Sequence, residues 1–368
     1  MGTLALGAEL ILGPPGARWL EIEAGRIVRI HEGSPPSGAE RLGGFLAPGF
    51  LDLQVNGLGT VNFASAKPED WRKARLELIC HGVTGFCPTF VSSALSSYPD
   101  MLRSTRAARQ DESPGAEILG AHMEGPFLGG KPGAHPPEFL QLADPKWIAG
   151  VLEDHPGLVS IVTLAPEADP NLEATRLLAE AGVLVSLGHS AATYHQAVDA
   201  ANAGARAVTH LFNAMRPLHH REPGLAGAAL DDERLTPTLI ADLVHVHPAA
   251  LRLAIDRKPN VALVSDAVAA QSEEARDRGV RVIDGAPRLE DGTLAGSQLT
   301  LDVAVANLAG IGISIQRAVE MATAVPAAIL GLRDRGRIEV GMRADFVLLD
   351  PDSMHVLEVW LEGEKVYG

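Results

Sequence analysis

Four residues that can bind a metal ion or carry a proton come near the ends of short apolar runs. Glu124 ends EILGAHME and His189 ends VLVSLGH, while Asp266 ends VALVSD and His210 falls late in ARAVTHLF. One carboxylate and two imidazoles suit a catalytic divalent ion whose fourth position is open to water. Asp266 has no place in that set and is suited to carry a proton. A lone polar strand end is usually structural, but four unpaired ones would be costly in a core, and a shared metal removes that cost.

The apolar runs alternate with stretches of helical pattern, which predicts the elements that position these residues. There are eight runs, at 49–55, 82–90, 117–124, 159–165, 183–189, 205–212, 238–244 and 261–266. Strands that alternate with helices pair in parallel, and eight of them in about 280 residues indicate a (β/α)₈ barrel. The carboxyl ends of barrel strands share one face, so the four residues would meet at a common mouth. An open doubly wound sheet is the alternative, but no glycine fingerprint follows the first strand.

The two ends of the chain have a different pattern. Residues 1–46 and 334–368 alternate apolar and polar positions with turn residues between them, which is typical of antiparallel strands. Neither piece can bury a core alone, so we expect them to pair into one small β domain beside a barrel at 47–333. Residues 281–297 (RVIDGAPRLEDGTLAGS) predict a hairpin inserted after the eighth strand.

Composition excludes several classes of function. Lys plus Arg number 31 against 46 Asp plus Glu, a formal net charge of −15, which argues against a general nucleic-acid binder. Cys80 and Cys87 are too few for a disulfide scaffold and fit a reducing compartment. The N-terminus has no basic region or cleavage site of a signal peptide, and no apolar run is long enough to span a membrane. We therefore expect a soluble, cytoplasmic, globular protein.

Other polar residues fall on loops at the same face of the predicted barrel. His135 lies in GGKPGAHPP directly after the Glu124 strand and could close over the mouth. His245 follows the seventh strand and Arg221 lies in HREPG, so this pair of cations could hold a phosphate or a carboxylate. His122, two positions before Glu124, could equally face the site or fill the barrel.

Nine short motifs occur in an order that resembles the N-acetylglucosamine-6-phosphate deacetylase family of the amidohydrolase superfamily. They are APGFLDLQVNG, HMEGPF, KPGAH, VTLAPE, GHSAAT, THLFNAM, REPGLAG, LVSDA and GTLAGS. The resemblance covers nearly the whole chain. It implies a (β/α)₈ barrel with a small β-sandwich built from both chain ends, in agreement with the pattern of elements.

The resemblance also implies roles for particular residues. The metal ligands would be Glu124, His189 and His210, and Asp266 would be the catalytic base and acid. The substrate would be contacted at its sugar by His135, Asn213 and Ala214, and at its phosphate by Arg221 and His245. In this family one or both phosphate ligands come from the neighbouring subunit, which implies a homodimer with a shared active site.

The end of the first barrel strand departs from the wider superfamily. Many members carry His-x-His there and bind a second metal, but this chain has Gln54 and Asn56. An amide is a poor ligand for a transition metal, so we expect one divalent ion per subunit. Zinc is the first expectation, and iron, manganese or cobalt accept the same ligands. Gln54 would instead hydrogen-bond the metal-bound water.

The implied reaction is hydrolysis of N-acetylglucosamine 6-phosphate to glucosamine 6-phosphate and acetate, with a metal-bound water as nucleophile and Asp266 as general base and acid. One alternative is another amidohydrolase, a cyclic amidase or a deaminase. The missing His-x-His, and the absence of a bridging lysine from VSIVTLAPE, speak against it. A non-catalytic barrel that serves as a binding or scaffold protein is the second alternative, although such proteins typically lose their ligands.

Overall fold

The computed structural model describes residues 4–368, and these residues form two large sheets and a ring of helices. The strands are β1 (Leu4–Ile11), β2 (Trp19–Glu23), β3 (Arg26–His31), β4 (Glu40–Pro48), β5 (Phe50–Val55), β6 (Gly57–Leu58), β7 (Val61–Asn62), β8 (Val83–Phe90), β9 (Glu117–Ile118), β10 (Ala121–Glu124), β11 (Val159–Leu164), β12 (Leu184–Leu187), β13 (Ala207–Val208), β14 (Thr236–Leu239), β15 (Ala262–Leu263), β16 (Arg281–Ile283), β17 (Ala286–Arg288), β18 (Phe346–Leu349), β19 (Val356–Leu361) and β20 (Glu364–Tyr367).

The α-helices lie mainly between the strands of the larger sheet. They are α1 (Pro68–Cys80), α2 (Tyr98–Arg109), α3 (Pro145–Asp154), α4 (Glu173–Glu180), α5 (Tyr194–Ala203), α6 (Gly224–Asp231), α7 (Pro248–Arg257), α8 (Glu273–Asp277), α9 (Leu301–Gly310), α10 (Ile315–Ala322) and α11 (Ala324–Ile329). Short 3₁₀ turns occupy Leu95–Ser97, Pro137–Phe139 and Pro166–Ala168. None of the helices within residues 4–368 is both long and apolar enough to cross a membrane.

The larger sheet is the predicted barrel. Its strands follow the order β15-β14-β13-β12-β11-β10-β8-β5, with β9 beside β8, and every pair is parallel. The residues after β15 close the ring against β5. The Asp266 N–H donates to the carbonyl of Gln54 at 2.9 Å, and the Asn56 N–H donates to the carbonyl of Ala267 at 2.8 Å. The (β/α)₈ prediction is therefore confirmed, and the open sheet is wrong.

Every predicted apolar run overlaps a strand, but several strands are shorter than their runs. The chain leaves the ladder before His189, His210 and Asp266, whose φ angles are 48°, 32° and 50°. A non-glycine residue with positive φ is uncommon and costs about 1 kcal/mol or more, so such residues concentrate at functional sites. The seventh run is shifted, because its strand spans Thr236–Leu239 and residues 240–244 form the loop above it.

The second sheet contains strands from both ends of the chain, in the order β20-β19-β18-β4-β1-β2-β3. β18 pairs antiparallel with both β4 and β19, so the C-terminal strands complete the sheet that the N-terminal strands begin. One face buries an apolar cluster of its own, separate from the core of the barrel, which includes Leu6, Leu20, Ile27, Leu46, Phe346 and Trp360. Each end supplies only part of this cluster, which explains why neither end can bury a core alone.

Local sequence signals explain where the helices begin. α1 starts at Pro68, where a missing N–H is harmless, and the Asp70 carboxylate accepts from the Lys67 N–H at 3.0 Å. α5 starts after Thr193, which forms a capping box with Gln196, and ends at Gly204 with φ 122°. The predicted hairpin is also present, since β16 and β17 pair antiparallel.

Candidate metal centre and active site

The four residues singled out at strand ends meet at the carboxyl end of the barrel. Glu124 is the last residue of β10, and His189 and His210 each follow their strands, β12 and β13, by two residues. Asp266 follows β15 by three residues, and all four side chains are buried. Since parallel strands end at one face, the fold brings together residues that are far apart in sequence.

Three candidate ligand atoms converge on one point. Oε1 of Glu124 lies 3.1 Å from Nε2 of His189 and 3.1 Å from Nε2 of His210, and the two nitrogens are 3.0 Å apart. Ligand atoms placed tetrahedrally at 2.0–2.1 Å from a zinc ion are about 3.3 Å from one another, so this spacing is close to that of a metal site. The donor set and its geometry therefore fit a divalent ion.

The hydrogen bonds behind His189 support its assignment as a ligand. Its Nδ1 lies 3.0 Å from the carbonyl oxygen of Pro132, which can only accept, so Nδ1 carries the proton. Nε2 then presents its lone pair to the site, as a metal-binding histidine must. Nδ1 of His210 is buried and has no hydrogen-bond partner among residues 4–368.

His135 also lies near this cluster, but the position of its ring proton distinguishes it from the three candidate ligands. Ligand atoms of Glu124, His135 and His189 lie within 4.8 Å of one another, with His135 Nε2 3.8 Å from Glu124 Oε2. However, the Ser92 N–H donates to Nδ1 of His135 at 3.1 Å. Burial lowers the pKa of His135 well below its usual value, so the ring is neutral and its proton lies on Nε2. His135 therefore offers the cavity a hydrogen-bond donor rather than a lone pair.

Asp266 is held by the two amides at the end of β5. Oδ1 accepts from Nδ2 of Asn56 at 2.8 Å and from Nε2 of Gln54 at 3.1 Å. Gln54 Nε2 also donates to Oε1 of Glu124 at 2.9 Å, so this amide bridges the two carboxylates. Burial raises the pKa of Asp266 to about 7, and the negative charge of Glu124 acts in the same direction. A carboxyl group that titrates near neutrality suits proton transfer.

A cavity of about 340 Å³ opens above this cluster. Of the residues expected to contact substrate, His135, Asn213, Ala214 and His245 all line it. His245 Nδ1 lies 2.6 Å from Oδ2 of Asp242, which leaves Nε2 to face a ligand. The fold thus brings most of the residues predicted to contact substrate to the same cavity as the three candidate metal ligands.

Arg221 is the exception. Its side chain is exposed, its guanidinium contacts Nε2 of the adjacent His220 at 3.0 Å, and it does not line the cavity of its own chain.

Arg278, which sequence reasoning missed, is the one Lys or Arg that lines this cavity within residues 4–368, and its Nη2 donates to the carbonyl of Ala134 at 2.6 Å. None of the nine motifs contains Arg278, which lies between the eighth predicted strand and the hairpin at 281–297.

Glu167 is a second residue that sequence reasoning passed over. Its Oε1 accepts from the Ala191 N–H at 2.6 Å and the Gly130 N–H at 3.1 Å, and its Oε2 accepts from the Ser190 hydroxyl at 2.6 Å. This carboxylate fixes the loops that follow β10 and β12, and hence the approach of His189. The motif VTLAPE contained the signal, since Glu167 is the acidic residue that follows the β11 strand.

His122 fills the barrel rather than the site. Its Nδ1 lies 2.9 Å from the carbonyl of Leu53 and its Nε2 lies 2.8 Å from the hydroxyl of Thr163. Both ring nitrogens are therefore used inside the barrel wall. Burial lowers the pKa of His122 to about 4, which keeps the ring neutral.

Comparison with known proteins agrees with this geometry. The model of the amidohydrolase family matches residues 45–366. The chain is 40% identical over 345 residues to N-acetylglucosamine-6-phosphate deacetylase of Bos taurus, a match that covers 88% of this chain and 84% of that protein. It is 37% identical over 378 residues to N-acetylgalactosamine-6-phosphate deacetylase of Escherichia coli O157:H7, covering 98% and 99%.

A solved structure is similar over the same extent. The N-acetyl-D-glucosamine-6-phosphate deacetylase of Mycobacterium smegmatis, a mutant in complex with N-acetyl-D-glucosamine-6-phosphate, superposes with a TM-score of 0.90 at 35% identity and covers 100% of both chains. The chain therefore belongs to the amidohydrolase family, in the group that contains the N-acetylglucosamine-6-phosphate deacetylases.

Proposed function

We propose that this chain hydrolyses the acetamide of N-acetylglucosamine 6-phosphate to glucosamine 6-phosphate and acetate. The observation that carries the proposal is the position of Asp266 beside three convergent ligand atoms from Glu124, His189 and His210. Relatives that bear this activity in their names match over most of their length, and a similar structure was solved with that phosphosugar.

The cofactor we propose is one divalent ion per subunit, with zinc as the first choice and iron, manganese or cobalt as alternatives. Glu124, His189 and His210 would hold it, and when bound it would activate water and polarise the acetyl carbonyl. Gln54 occupies the position where a second ion would need an imidazole. Its Nε2 donates to the carboxylates of Glu124 and Asp266 and so bridges them without a second cation.

The chain's own groups supply the proton transfers. Oδ1 of Asp266 already accepts two N–H groups, so Oδ2 is the oxygen left to carry the proton. Asp266 takes a proton from the attacking water and then delivers it to the nitrogen of the leaving amine, which leaves poorly unless it is protonated. His135 Nε2–H can donate to the negative oxygen that develops on the acetyl group.

Substrate binding would use the residues that line the cavity and one residue from outside it. Asn213, Ala214 and His135 would contact the sugar, and His245 would contact the phosphate. Because Arg221 lies on an exposed loop and away from its own cavity, we propose that it completes the phosphate site of the partner subunit in a homodimer.

Acetate release by the metal-loaded protein tests the proposal. The substrates are N-acetylglucosamine 6-phosphate, its galactosamine epimer and unphosphorylated N-acetylglucosamine. We expect fast release from the first and a kcat/KM at least about 100-fold lower without phosphate, because phosphate binding supplies positioning energy. Faster release from the epimer would reassign the sugar, and equal rates with and without phosphate would remove His245 and Arg221 from their proposed role. No release from any of the three would overturn the proposed function.

A further inference from the structure

Asp242 and His245 form a closely hydrogen-bonded pair in the loop above β14. Nδ1 of His245 lies 2.6 Å from Oδ2 of Asp242, while Oδ1 of Asp242 accepts from the N–H groups of Val244 at 2.9 Å and of His245 at 2.8 Å. Leu243, inside this turn, has a φ of 65°, which is uncommon for a residue other than glycine. The Asp242 side chain therefore fixes both the turn and the direction of the His245 ring.

The charge of Asp242 determines which ring nitrogen of His245 carries the proton. Burial would raise the pKa of Asp242, but the hydrogen bond and the charge of His245, together with the two backbone N–H groups, outweigh burial, and the pKa lies below the usual 3.8. An ionised carboxylate can only accept, so Nδ1 of His245 donates to it. Nε2 has no hydrogen-bond partner within residues 4–368 and is not one of the buried unpaired atoms, so it is open to the cavity that His245 lines.

This tautomer limits what a neutral His245 can offer to a phosphate. Its one ring proton is committed to Asp242, so Nε2 presents a lone pair, which repels a phosphate dianion. A phosphate monoester has its second pKa at about 6 and is therefore mainly a dianion in neutral or alkaline solution. Nε2 can donate to that dianion once the ring has taken up a second proton, and the charge of Asp242 stabilises the imidazolium that results.

We propose that Asp242 makes the binding of the substrate phosphate depend on the uptake of one proton at Nε2 of His245. The inference rests on the proposed function, which assigns His245 to the phosphate, and deepens it, because it makes Asp242 the residue that positions and charges this histidine. The proton comes from solvent when the phosphate binds and returns to solvent when the phosphosugar product leaves. The bound pair is then an imidazolium N–H that donates to a dianion, a charge-assisted hydrogen bond.

Other titratable groups lie near His245, and the experiment separates their effects from its own. The charge of His245 acts on Asp266, and His247 caps α7 through Nδ1 without lining the cavity. The remaining titratable residues that line the cavity are Glu124, His135, His189, His210, Glu274 and Arg278. Both N-acetylglucosamine 6-phosphate and unphosphorylated N-acetylglucosamine would occupy this cavity, so the ratio of their kcat/KM values cancels the titration of groups that act on both.

The experiment measures this ratio for the metal-loaded protein from about pH 7 to about pH 9, a range in which imidazoles lose their second proton while the phosphate stays a dianion. For the wild-type protein the ratio should fall at least about 5-fold. In Asp242→Asn the side-chain oxygen still accepts the two backbone N–H groups, and the amide nitrogen donates to Nδ1, which moves the ring proton to Nε2. The neutral ring then donates to the phosphate without proton uptake, so the ratio should change less than about 2-fold.

Two further variants and a binding measurement support the comparison. His245→Gln offers an N–H that does not titrate, so its ratio should also be nearly independent of pH. Asp350→Asn is the matched control, because Asp350 accepts from the N–H groups of Asp352 and Ser353 in a similar turn outside the cavity, and it should keep the wild-type dependence. Thermal unfolding shows that each variant is folded.

Calorimetry of glucose 6-phosphate binding at about pH 8, in buffers that differ in ionisation enthalpy, counts the protons directly. The wild-type protein should take up more than about half a proton per site, and Asp242→Asn less than about 0.2. A wild-type ratio that does not change with pH, or the wild-type pH dependence in Asp242→Asn, would overturn the inference. Failure of the proposed function is a different result, absence of acetate release by the wild-type protein, and the calorimetric test does not depend on turnover.

Discussion

The Nε2 atoms of His189 and His210 lie 3.0 Å apart and both face Oε1 of Glu124 at 3.1 Å. Two nitrogen atoms and an anionic oxygen at this spacing can hold a cation among them. We expect His210→Ala to weaken metal binding at least about 100-fold, because it removes one of three protein ligands. Elemental analysis after dialysis measures this, with the exposed His355→Ala as the matched control that keeps a full equivalent.

Removal of the metal should also destabilise the wild-type protein. A cation at 100 times its dissociation constant adds about 2.7 kcal/mol to the free energy of unfolding, so a chelator should lower Tm by several degrees. Adding back zinc should restore the Tm of the wild-type protein but not that of His210→Ala. A fully loaded and fully stabilised His210→Ala protein would contradict the assignment of this ligand.

Asp266→Asn should separate binding from turnover. The asparagine fills the same space and leaves the three ligand atoms in place, so metal content should stay near one equivalent and KM should change by less than about 3-fold. The amide cannot take a proton from water, and kcat should fall by about 10³-fold or more. Steady-state kinetics with the phosphosugar measure the loss. A near-normal kcat would show that another group transfers the proton.

Mixing two inactive variants tests whether the active site is shared. If the site is shared as proposed, Arg221→Ala should be impaired because its loop completes the cavity of the neighbouring subunit, and Asp266→Asn should be inactive because its own cavity lacks the base. In a mixed dimer, the cavity of the Arg221→Ala subunit receives Arg221 from the other subunit and is complete. Equal mixing should restore about one quarter of wild-type activity, since half of randomly formed dimers hold one intact site of two. If mixing restores no activity, Arg221 does not belong to a shared active site.

The pair of His81 and Asp302 should give stability a pH dependence that is independent of the metal. His81 Nδ1 lies 3.3 Å from Oδ2 of Asp302, and this hydrogen bond raises the pKa of His81 above its usual 6.5. Burial would raise the pKa of Asp302, but the hydrogen bonds from His81 and Thr300 and the charge of His81 together outweigh burial, and the pKa lies below the usual 3.8. The stability from His81 is therefore complete below pH 6.5 and is lost as pH rises through its raised pKa. The stability from Asp302 is lost as pH falls below 3.8.

The difference in Tm between the wild-type protein and His81→Gln should therefore be largest near pH 5 to 6 and should shrink by about pH 9. Asp302→Asn should remove the same dependence. A difference in Tm that does not change with pH would show that His81 stabilises the chain by packing alone.

The sequence predicted the barrel and the polar residues that meet at its mouth because both depend on local patterns. Each strand buries its side chains on both faces, so it is a continuous apolar run, and a polar residue at its end is visible against that run. The roles of Gln54 and Asn56 could not be predicted in the same way. Their amides act on Asp266, which lies more than 200 positions away in the chain, and nothing in QVNG specifies which groups they contact.

Arg221 and Arg278 are a second example of positions in the site that the sequence could not predict. Both lie in loops at the mouth, but only Arg278 lines the cavity of its own chain. Loop sequences have no periodicity that fixes the direction of a side chain, so the position of a cation in a loop depends on packing that the sequence does not display.

The sequence by itself determined the order of strands and helices, the pairing of the chain ends and the types of group that lie at the mouth of the barrel. These follow from hydrophobic periodicity and from the rule that parallel strands end at one face. Tertiary structure alone decided the hydrogen bonds among those groups. It fixed the tautomers of His135 and His189, bridged Glu124 and Asp266 through Gln54, and left the Asn56 oxygen without a partner among the described residues. Such bonds need atoms within about 3 Å of one another, and only the closed barrel brings distant segments that close.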